Sequence, residues 1–378
     1  VLVGGPDVDA RLDLMAVLSN EFELSALGTE PALAERFASA GFSYGHYAMT
    51  RGVDPMSDLR AYRHLKARFQ ALRPQVVHTF DTKPGVWARL AAASAGVPVV
   101  VGTLPGLGSL YADRSLTSRV VRTVYQPLQR LACSRSRCTI FQNDDDRHEL
   151  VARGIVAADR SVVIRGSGVR PELYDHQRHA GQLPTLRAEL GLPPGAVVVT
   201  MVSRVMRTKG VLEYAEAARQ VRSRNPEAVF LLAGPADDTE LNRLTPAEVD
   251  GVRQAVRWLG LRQDVPALLA LSDLFVLPSF YREGVPRALL EAAASGLPLV
   301  VAQTPGSTDV VRNGENGLVV PPRDASALAE AIERLVRDRT CRRHYGACSR
   351  ERVVRDFSLE VVAGQIRELY HRLLREGR

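Results

Sequence analysis

Two carboxylates and a run of backbone amides make the first site this sequence offers. Glu283 stands in a loop after the apolar run 274–277, and Glu291 stands about two helical turns further on. Between them Pro286 suits the first position of a helix, so Gly284, Val285 and Arg287 bring backbone N–H groups to its start. A helix start of that kind attracts an anion. One carboxylate in the loop and one on the helix can reach two parts of a single polar ligand. A second group, Ser203, Arg204, Arg207 and Lys209, follows the apolar run 196–202 and opens the helix expected over 211–223. A forked guanidinium beside a lysine point charge suits a diphosphate. Taken alone, each pattern also fits an ordinary α/β unit with solvated side chains.

The first half carries a further polar cluster. His78, Asp81 and Lys83 stand at the end of a strand expected over 75–79, and Thr103, Gly106 and Gly108 follow another expected over 97–102. Together they form a candidate acceptor site, although His78 equally fits a hydrogen-bonded loop histidine. Gly5 lies in the turn Gly4-Gly5-Pro6, where a ligand can approach the backbone closely. That turn is not G-x-G-x-x-G, and a plain tight βα turn explains it as well. Asn143-Asp144-Asp145-Asp146 invites an Asp-x-Asp metal reading. Acids in a first helical turn and an Asn at its cap account for it better, so no metal site is assigned.

These residues are positioned by alternating strands and helices. The alternation predicts an α/β protein with two doubly wound, mostly parallel sheets and ligands at the strands' carboxyl ends. The expected domains are 1–170 and 196–358, joined by a Pro- and Gly-containing linker over 171–195 with one short helix. A last helix, about 359–376, is expected to pack back on the first domain. From 114 to 137 six arginines (114, 119, 122, 130, 135, 137) interleave with apolar residues, and no acid interrupts them. Such a helix suits an anionic membrane surface or a lipid diphosphate, or else an ordinary packed surface helix.

The 378 residues are long for one core and comfortable for two. Lys and Arg number 49 against 42 Asp and Glu, a formal charge of +7, which suits a phosphate-bearing partner without demanding nucleic acid. Cys133, Cys138, Cys341 and Cys348 form no C-x-x-C pair and no zinc pattern. No signal peptide opens the chain, and no apolar run approaches the roughly 18 residues a bilayer span needs. The expectation is a cytoplasmic enzyme, with peripheral contact to the inner face of the membrane through the arginine-rich segment. The first strand is expected to begin a residue or more ahead of Val1.

The spacing Glu283-x7-Glu291, with Arg204-x4-Lys209 before it and Gly306-Ser307-Thr308-Asp309-x-Val311 after it, resembles retaining glycosyltransferases of family 4. Gly166-Ser167-Gly168-Val169 resembles a subgroup that extends polyprenyl-diphosphate-linked sugars. In the family, Asn commonly stands where Ser167 does, and a second His commonly stands where Phe80 does. The resemblance implies the GT-B architecture, two Rossmann-like domains facing across a cleft. It implies transfer from a nucleotide-sugar, expected to be UDP-linked, to a glycan or lipid-linked glycan in surface polysaccharide synthesis. Retention of configuration follows from it, with neither metal nor cofactor. Arg204 and Lys209 would stabilise the leaving diphosphate, Glu283 would hold the transferred sugar, and Glu291 the ribose. His78 would stand beside the sugar. Gly5, Ser203, Gly234, Trp258, Leu259, Gly284, Val285, Pro286 and Arg287 would line the donor site. Asp81, Lys83, Thr103, Gly106 and Gly108 would face the acceptor. The alternatives are a sugar-nucleotide epimerase of the same architecture and a non-catalytic bilobal sugar-binding protein.

Overall fold

Short runs of Val, Leu, Ile and Phe are buried on both faces when helices cover both sides of a parallel sheet, and this chain does that twice. The computed structural model of the protein describes residues 1–50, 52, 54–108, 116–236 and 243–376, and within 116–124 the side chains of residues 122 and 123. The chain divides into two units, Val1–Gly168 with Leu359–Arg378, and Val169–Ser358.

The first unit is built on strands β1 (Leu2–Val3), β2 (Ser25–Gly28), β3 (Ser43–His46), β4 (Val76–Thr79), β5 (Val99–Leu104), β6 (Cys138–Phe141) and β7 (Ser161–Val163). They pair in parallel in the order β3-β2-β1-β4-β5-β6-β7. The order reverses between β1 and β4, so the crevice at their carboxyl ends is the expected ligand position. Helices α1 (Leu12–Leu18), α2 (Leu33–Ser39), α3 (Pro55–Leu72), α4 (Lys83–Ser94), α5 (Leu116–Ser134) and α6 (Asp144–Ala152) connect the strands. Caps mark their starts where sequence allows. The Asp54 carboxylate accepts from Ser57 N–H ahead of α3, and the Asn143 side chain accepts from Asp146 N–H at 2.7 Å ahead of α6. Gly102 in β5 is bare for a reason. A Cβ there would fall 1.9 Å from the guanidinium of Arg89, which α4 buries against the sheet.

The second unit carries β8 (Val197–Val202), β9 (Ala228–Ala233), β10 (Arg257–Trp258), β11 (Leu274–Leu277), β12 (Leu299–Ala302) and β13 (Gly317–Val320). Their order, β10-β9-β8-β11-β12-β13, is again parallel throughout and reverses between β8 and β11. Its helices are α7 (His176–His179), α8 (Leu183–Glu189), α9 (Val211–Arg224), α10 (Pro246–Ala255), α11 (Val265–Leu271), α12 (Arg287–Ala294), α13 (Ser307–Val310), α14 (Ala325–Arg337) and α15 (Arg339–Phe357). Residues 171–195, read as a linker, instead form part of this unit. Tyr174 enters its main core, and Leu186 and Leu192 pack with Val198, Leu231 and Leu268. Pro171 and Pro184 in this stretch stand in the first turns of short helices.

Helix α16 (Leu359–Glu376) belongs to the first unit. Val362, Ile366, Leu369 and Tyr370 on one of its faces join Leu2, Met15, Val99 and Ile140 in one apolar cluster. Their spacing is the three-and-four repeat of a single helix face.

Candidate functional site

In the second unit the reversal point brings together the loops after β8 and β11. After Val202 the chain makes a 3₁₀ turn over Arg207–Lys209 and enters α9 through Gly210 at φ +75. A Cβ on Gly210 would lie 2.3 Å from the Pro278 carbonyl oxygen, so the two loops press together. The Thr208 carbonyl accepts the N–H groups of Phe280 at 2.9 Å and Tyr281 at 3.0 Å. This clamp places the Lys209 ammonium 2.6 Å from Glu283 Oε2, with the side chains 12% and 19% exposed. Ser279, itself buried, donates its hydroxyl to the other Glu283 oxygen at 2.9 Å. The Tyr281 ring lies 5.7 Å from the ammonium. Arg204 is exposed on the same loop.

The third cation of that loop is committed elsewhere. Arg207 forks onto Glu248, both N···O distances being 2.7 Å. Glu248 is also the reciprocal member of the capping box that Thr245 forms at the start of α10. The Arg207 hydrogen bond, with those from Thr245, holds the Glu248 carboxyl down to about 2.

Helix α12 begins one residue later than expected. Pro286 is its cap, with ψ +124, and Arg287 is the first helical residue. The N–H groups of Leu289 and Leu290 both return to the Pro286 carbonyl. Glu291 Oε1 accepts from Arg287 Nε at 2.9 Å, one turn apart on the helix. Gly284 touches the loop after β12. A Cβ on Gly306, at φ +79, would lie 1.5 Å from the Gly284 carbonyl oxygen, so only glycine lets these backbones meet.

The ends of β8, β9 and β10 are joined in the same way. A Cβ on Gly234 would fall 1.9 Å from the Ser203 carbonyl oxygen. Gly234 N–H donates to Gly260 at 2.7 Å, and the Trp258 indole N–H donates to the Gly234 carbonyl at 2.9 Å. Trp258 therefore holds the turn with its polar edge and packs its ring against the core. Arg253 lies over that ring at 5.3 Å. Leu259 N–H continues the ladder to Leu232, and its side chain packs among Leu231 and Leu268. Ser203, Lys209, Gly234, Glu283, Gly284 and Pro286 thus lie on the turns that follow strands of one sheet, Trp258 ends β10, and Arg287 and Glu291 lie in the first turns of α12.

The first unit shows a different picture. Gly5 follows β1 and its N–H donates to Asp81 Oδ2 at 2.8 Å, closing the reversal point between β1 and β4. Gly5 thus shares its turn with Asp81 in the first unit. Asp81 has a left-handed backbone, φ +68, which few non-glycine residues adopt. Burial, then the nearby Asp7 carboxylate, push its carboxyl upward against the pull of the Gly5 N–H and Arg11. Arg11 lies over the Phe80 ring at 4.6 Å and donates to Ser167 Oγ at 2.7 Å. Sequence reasoning passed over Arg11, for which no motif gives a signal. Gly106 and Gly108 lie after β5 at φ +145 and φ +63.

Three first-unit candidates have partners within the fold. His78 lies inside β4 and is fully buried. Its Nδ1 meets the Tyr370 hydroxyl at 2.6 Å and its Nε2 meets Thr103 Oγ1 at 2.7 Å, so both nitrogens are occupied. Burial, then the positive charges of Arg11 and Arg89, hold its pKa well below the usual histidine value, and the ring is neutral. It links β4 to α16 and β5 through these two hydrogen bonds. Thr103 is a buried residue of β5 bound to that imidazole, and not part of the loop after it. Lys83 is ion-paired to Asp58 at 2.6 Å and donates to the carbonyls of Thr50 and Gly52, which occupies its ammonium in holding α3 and the loop before it.

Asp144 pairs with Arg165 at 2.6 Å, and Asp146 accepts from the Asn143 amide at 3.0 Å, so these acids serve the start of α6. Among the described residues no group of three His, Cys, Asp or Glu side chains could hold a metal ion. In the arginine-rich segment, Arg114 and the side chain of Arg119 lie outside the described residues. Arg130 donates to the Arg153 carbonyl at 2.9 Å. Among the described residues no helix is long and apolar enough to cross a membrane.

Residues 196–338 match the family described as Glycosyl transferases group 1, and residues 12–166 match the Glycosyl transferase 4-like domain. A UDP-Gal:alpha-D-GlcNAc-diphosphoundecaprenol alpha-1,3-galactosyltransferase of Escherichia coli is 29% identical over 85% of this chain and 81% of its own length. An N,N'-diacetylbacillosaminyl-diphospho-undecaprenol alpha-1,3-N-acetylgalactosaminyltransferase of Campylobacter jejuni is 24% identical over 96% of this chain and 94% of its own. In fold, the chain is similar to the Anabaena protein HepE in complex with UDP. That likeness has a TM-score of 0.78 at 19% identity, over 97% of this chain and 98% of that one.

Proposed function

The chain is a glycosyltransferase of the GT-B fold resembling family 4 enzymes, and from that premise we propose a retaining, metal-independent transfer from a UDP-linked sugar to a polyprenyl-diphosphate-linked sugar. At the coarser level it moves a sugar from a nucleotide-sugar to a glycan or lipid-linked glycan acceptor in polysaccharide biosynthesis. The observation that carries the finer reading is the Lys209–Glu283 pair at the reversal point of the second sheet, beside Arg204 and the start of α12.

In this proposal Lys209 and Arg204 meet the diphosphate, and the amides around Gly284–Arg287 face the same charge. When the bond from the anomeric carbon to the diphosphate oxygen breaks, negative charge grows on that oxygen. Prepositioned donors stabilise it more than they stabilise the ground state. Glu283 takes hydroxyls of the transferred sugar in place of part of its contact with Lys209. Glu291 takes the ribose hydroxyls in place of Arg287. Ser203, Gly234, Trp258 and Leu259 shape the nucleotide end of the pocket, chiefly through backbone groups. Gly5 offers the donor a close approach to the backbone, and Asp81, with Gly106 and Gly108, serves the acceptor. The arginine-rich segment through Arg137 meets an anionic membrane surface, where a polyprenyl carrier resides.

A thermal-shift panel of UDP, GDP and ADP, followed by UDP-sugars and a turnover assay with lipid-linked acceptor, tests the reading. Stabilisation by UDP over GDP and ADP, with turnover on a diphosphate-linked sugar, is expected. Silence with UDP, or stabilisation by GDP or ADP alone, would overturn the donor assignment.

A further inference from the structure

At the end of the first sheet opposite the Gly5–Asp81 turn, the amino ends of β5, β6 and β7 and the last turn of α16 border a cavity of about 670 Å³. That is the size of a small-molecule site, which typically encloses roughly 300–1,000 Å³. Four arginines are among its lining residues, Arg135, Arg137, Arg160 and Arg372, all exposed, against two acids, Asp159 and Glu376. Surface arginines usually find a carboxylate, yet here neither acid forms an ion pair with any of the four among the described residues. Arg160 is fixed by a hydrogen bond to the Ser134 carbonyl at 3.1 Å. The guanidiniums of Arg135, Arg137 and Arg372 make no hydrogen bond or ion pair among the described residues.

A structural role for these cations is available, because the carboxyl ends of α4, α5 and α16 all reach this cavity. Each helix end carries about half a negative charge on its unpaired carbonyls. Only Arg160 takes up such a carbonyl. The other three come from two elements, the α5–β6 connection and α16, and border the same cavity. Forked guanidiniums gathered from different elements are how proteins bind phosphate oxygens bidentately.

We propose that this cavity is a second anion site, separate from the donor and acceptor positions, which binds a phosphate group through Arg137 and Arg372 with support from Arg135. The phosphate belongs either to an anionic phospholipid headgroup or to a free phosphorylated small molecule. The inference uses only first-unit residues, so it stands or falls apart from the donor-site reading.

The test uses the full chain in saturating UDP, which occupies the diphosphate loops of the second unit. Pyrophosphate is titrated calorimetrically in one arm. In the other, co-sedimentation is measured with phosphatidylglycerol vesicles beside phosphatidylcholine vesicles. The Arg137→Gln/Arg372→Gln variant is expected to lose about tenfold or more of the affinity in the arm that carries the ligand. Loss with pyrophosphate alone assigns a free phosphorylated ligand, and loss with phosphatidylglycerol alone assigns a headgroup. The Arg137→Lys/Arg372→Lys variant keeps the charge and should retain part of the binding, which separates a lost site from a lost fold. Unchanged binding by the Gln variant in both arms, or no binding by the wild type in either, overturns the site. Failure of UDP to bind in the same titration would count against the donor site and leave this result readable.

Discussion

The ammonium of Lys209 and the carboxylate of Glu283 meet at 2.6 Å across the two loops where the second sheet reverses its strand order. Each charge neutralises the other, and Ser279 occupies the second Glu283 oxygen. The pair sets the lysine where a diphosphate would arrive while muting its field. Removing one partner should therefore act differently from removing the other. Lys209→Ala should lower kcat by about a hundredfold or more, the usual loss when one prepositioned charge-stabilising donor is removed. Glu283→Gln keeps the shape but unmutes the lysine. UDP should then bind about tenfold more tightly, while transfer slows because the sugar loses its carboxylate partner. Calorimetric UDP titrations beside steady-state rates check both. Wild-type kcat in the Lys209 variant would remove it from the mechanism.

Glu291 offers a contrast, because its present partner, Arg287, lies on the same helix face and is half in solvent. Exposed ion pairs of this kind contribute little to stability, about 0.3–0.5 kcal/mol. Glu291→Ala should leave the melting temperature near wild type and raise the KM for the nucleotide-sugar with a smaller change in kcat. A matched fall in kcat with unchanged KM would place Glu291 at the reacting sugar instead of the nucleotide.

Gly306 bears on the same site through backbone alone. With a Cβ position 1.5 Å from the Gly284 oxygen and φ +79, no side chain fits without separating the two loops. Gly306→Ala should cost at least about 2 kcal/mol in urea unfolding. It should also weaken UDP binding, since Gly284 belongs to the approach to α12. Gly314 is the control. It too has positive φ, +81, but a Cβ there meets nothing within 4 Å. Gly314→Ala should cost only backbone strain and leave UDP binding intact.

The second site was legible from sequence because its parts are local. A buried apolar strand, a loop and a helix start occur in order within 274–296, and the Glu283–Glu291 spacing needs only helix geometry to interpret. The doubly wound order follows from strand-helix alternation in the same way. What stayed hidden depends on contacts between distant residues. The Lys209–Glu283 pair spans two strands of the sheet. His78 and Tyr370 are 292 residues apart, and no periodicity announces that one caps the other. Lys83 looks like a strand-end ligand until Asp58 and the carbonyls of Thr50 and Gly52 are seen to occupy it. Residues 171–195 look like a linker because prolines punctuate them. Only the packing of Leu186 and Leu192 shows that this stretch covers part of a core.

Metal removal gives a direct test of the reading of Asn143–Asp146. Asp144 and Asp146 are engaged with Arg165 and Asn143 at the start of α6. If the leaving diphosphate is stabilised by Lys209 and Arg204 in place of a metal, turnover should be unchanged after exhaustive chelation. Loss of activity that Mg²⁺ or Mn²⁺ restores would return those aspartates to consideration and would overturn the metal-independent mechanism.

His78 provides the pH test. Its folded pKa is held well below the ordinary value of about 6.5, because burial and the charges of Arg11 and Arg89 disfavour the imidazolium. In the window below that value the unfolded chain binds a proton that the native chain refuses. The stability contributed by the neutral ring is therefore complete above about pH 6.5 and is lost as pH falls toward the folded pKa. The slope should reach about 1.4 kcal/mol per pH unit, superimposed on that of other groups. His78→Asn should remove this component, so the difference between variant and wild-type unfolding free energies should shrink as pH falls from 7 to 5. Tyr370→Phe strands Nδ1 and should cost about 1–3 kcal/mol near neutral pH. Because the ring then lacks a partner for one nitrogen but stays buried, that variant should keep the acid slope. A parallel pair of stability-versus-pH curves for His78→Asn and wild type would mean that His78 does not titrate between the folded and unfolded states, and the assignment of a neutral, fully enclosed imidazole would fall.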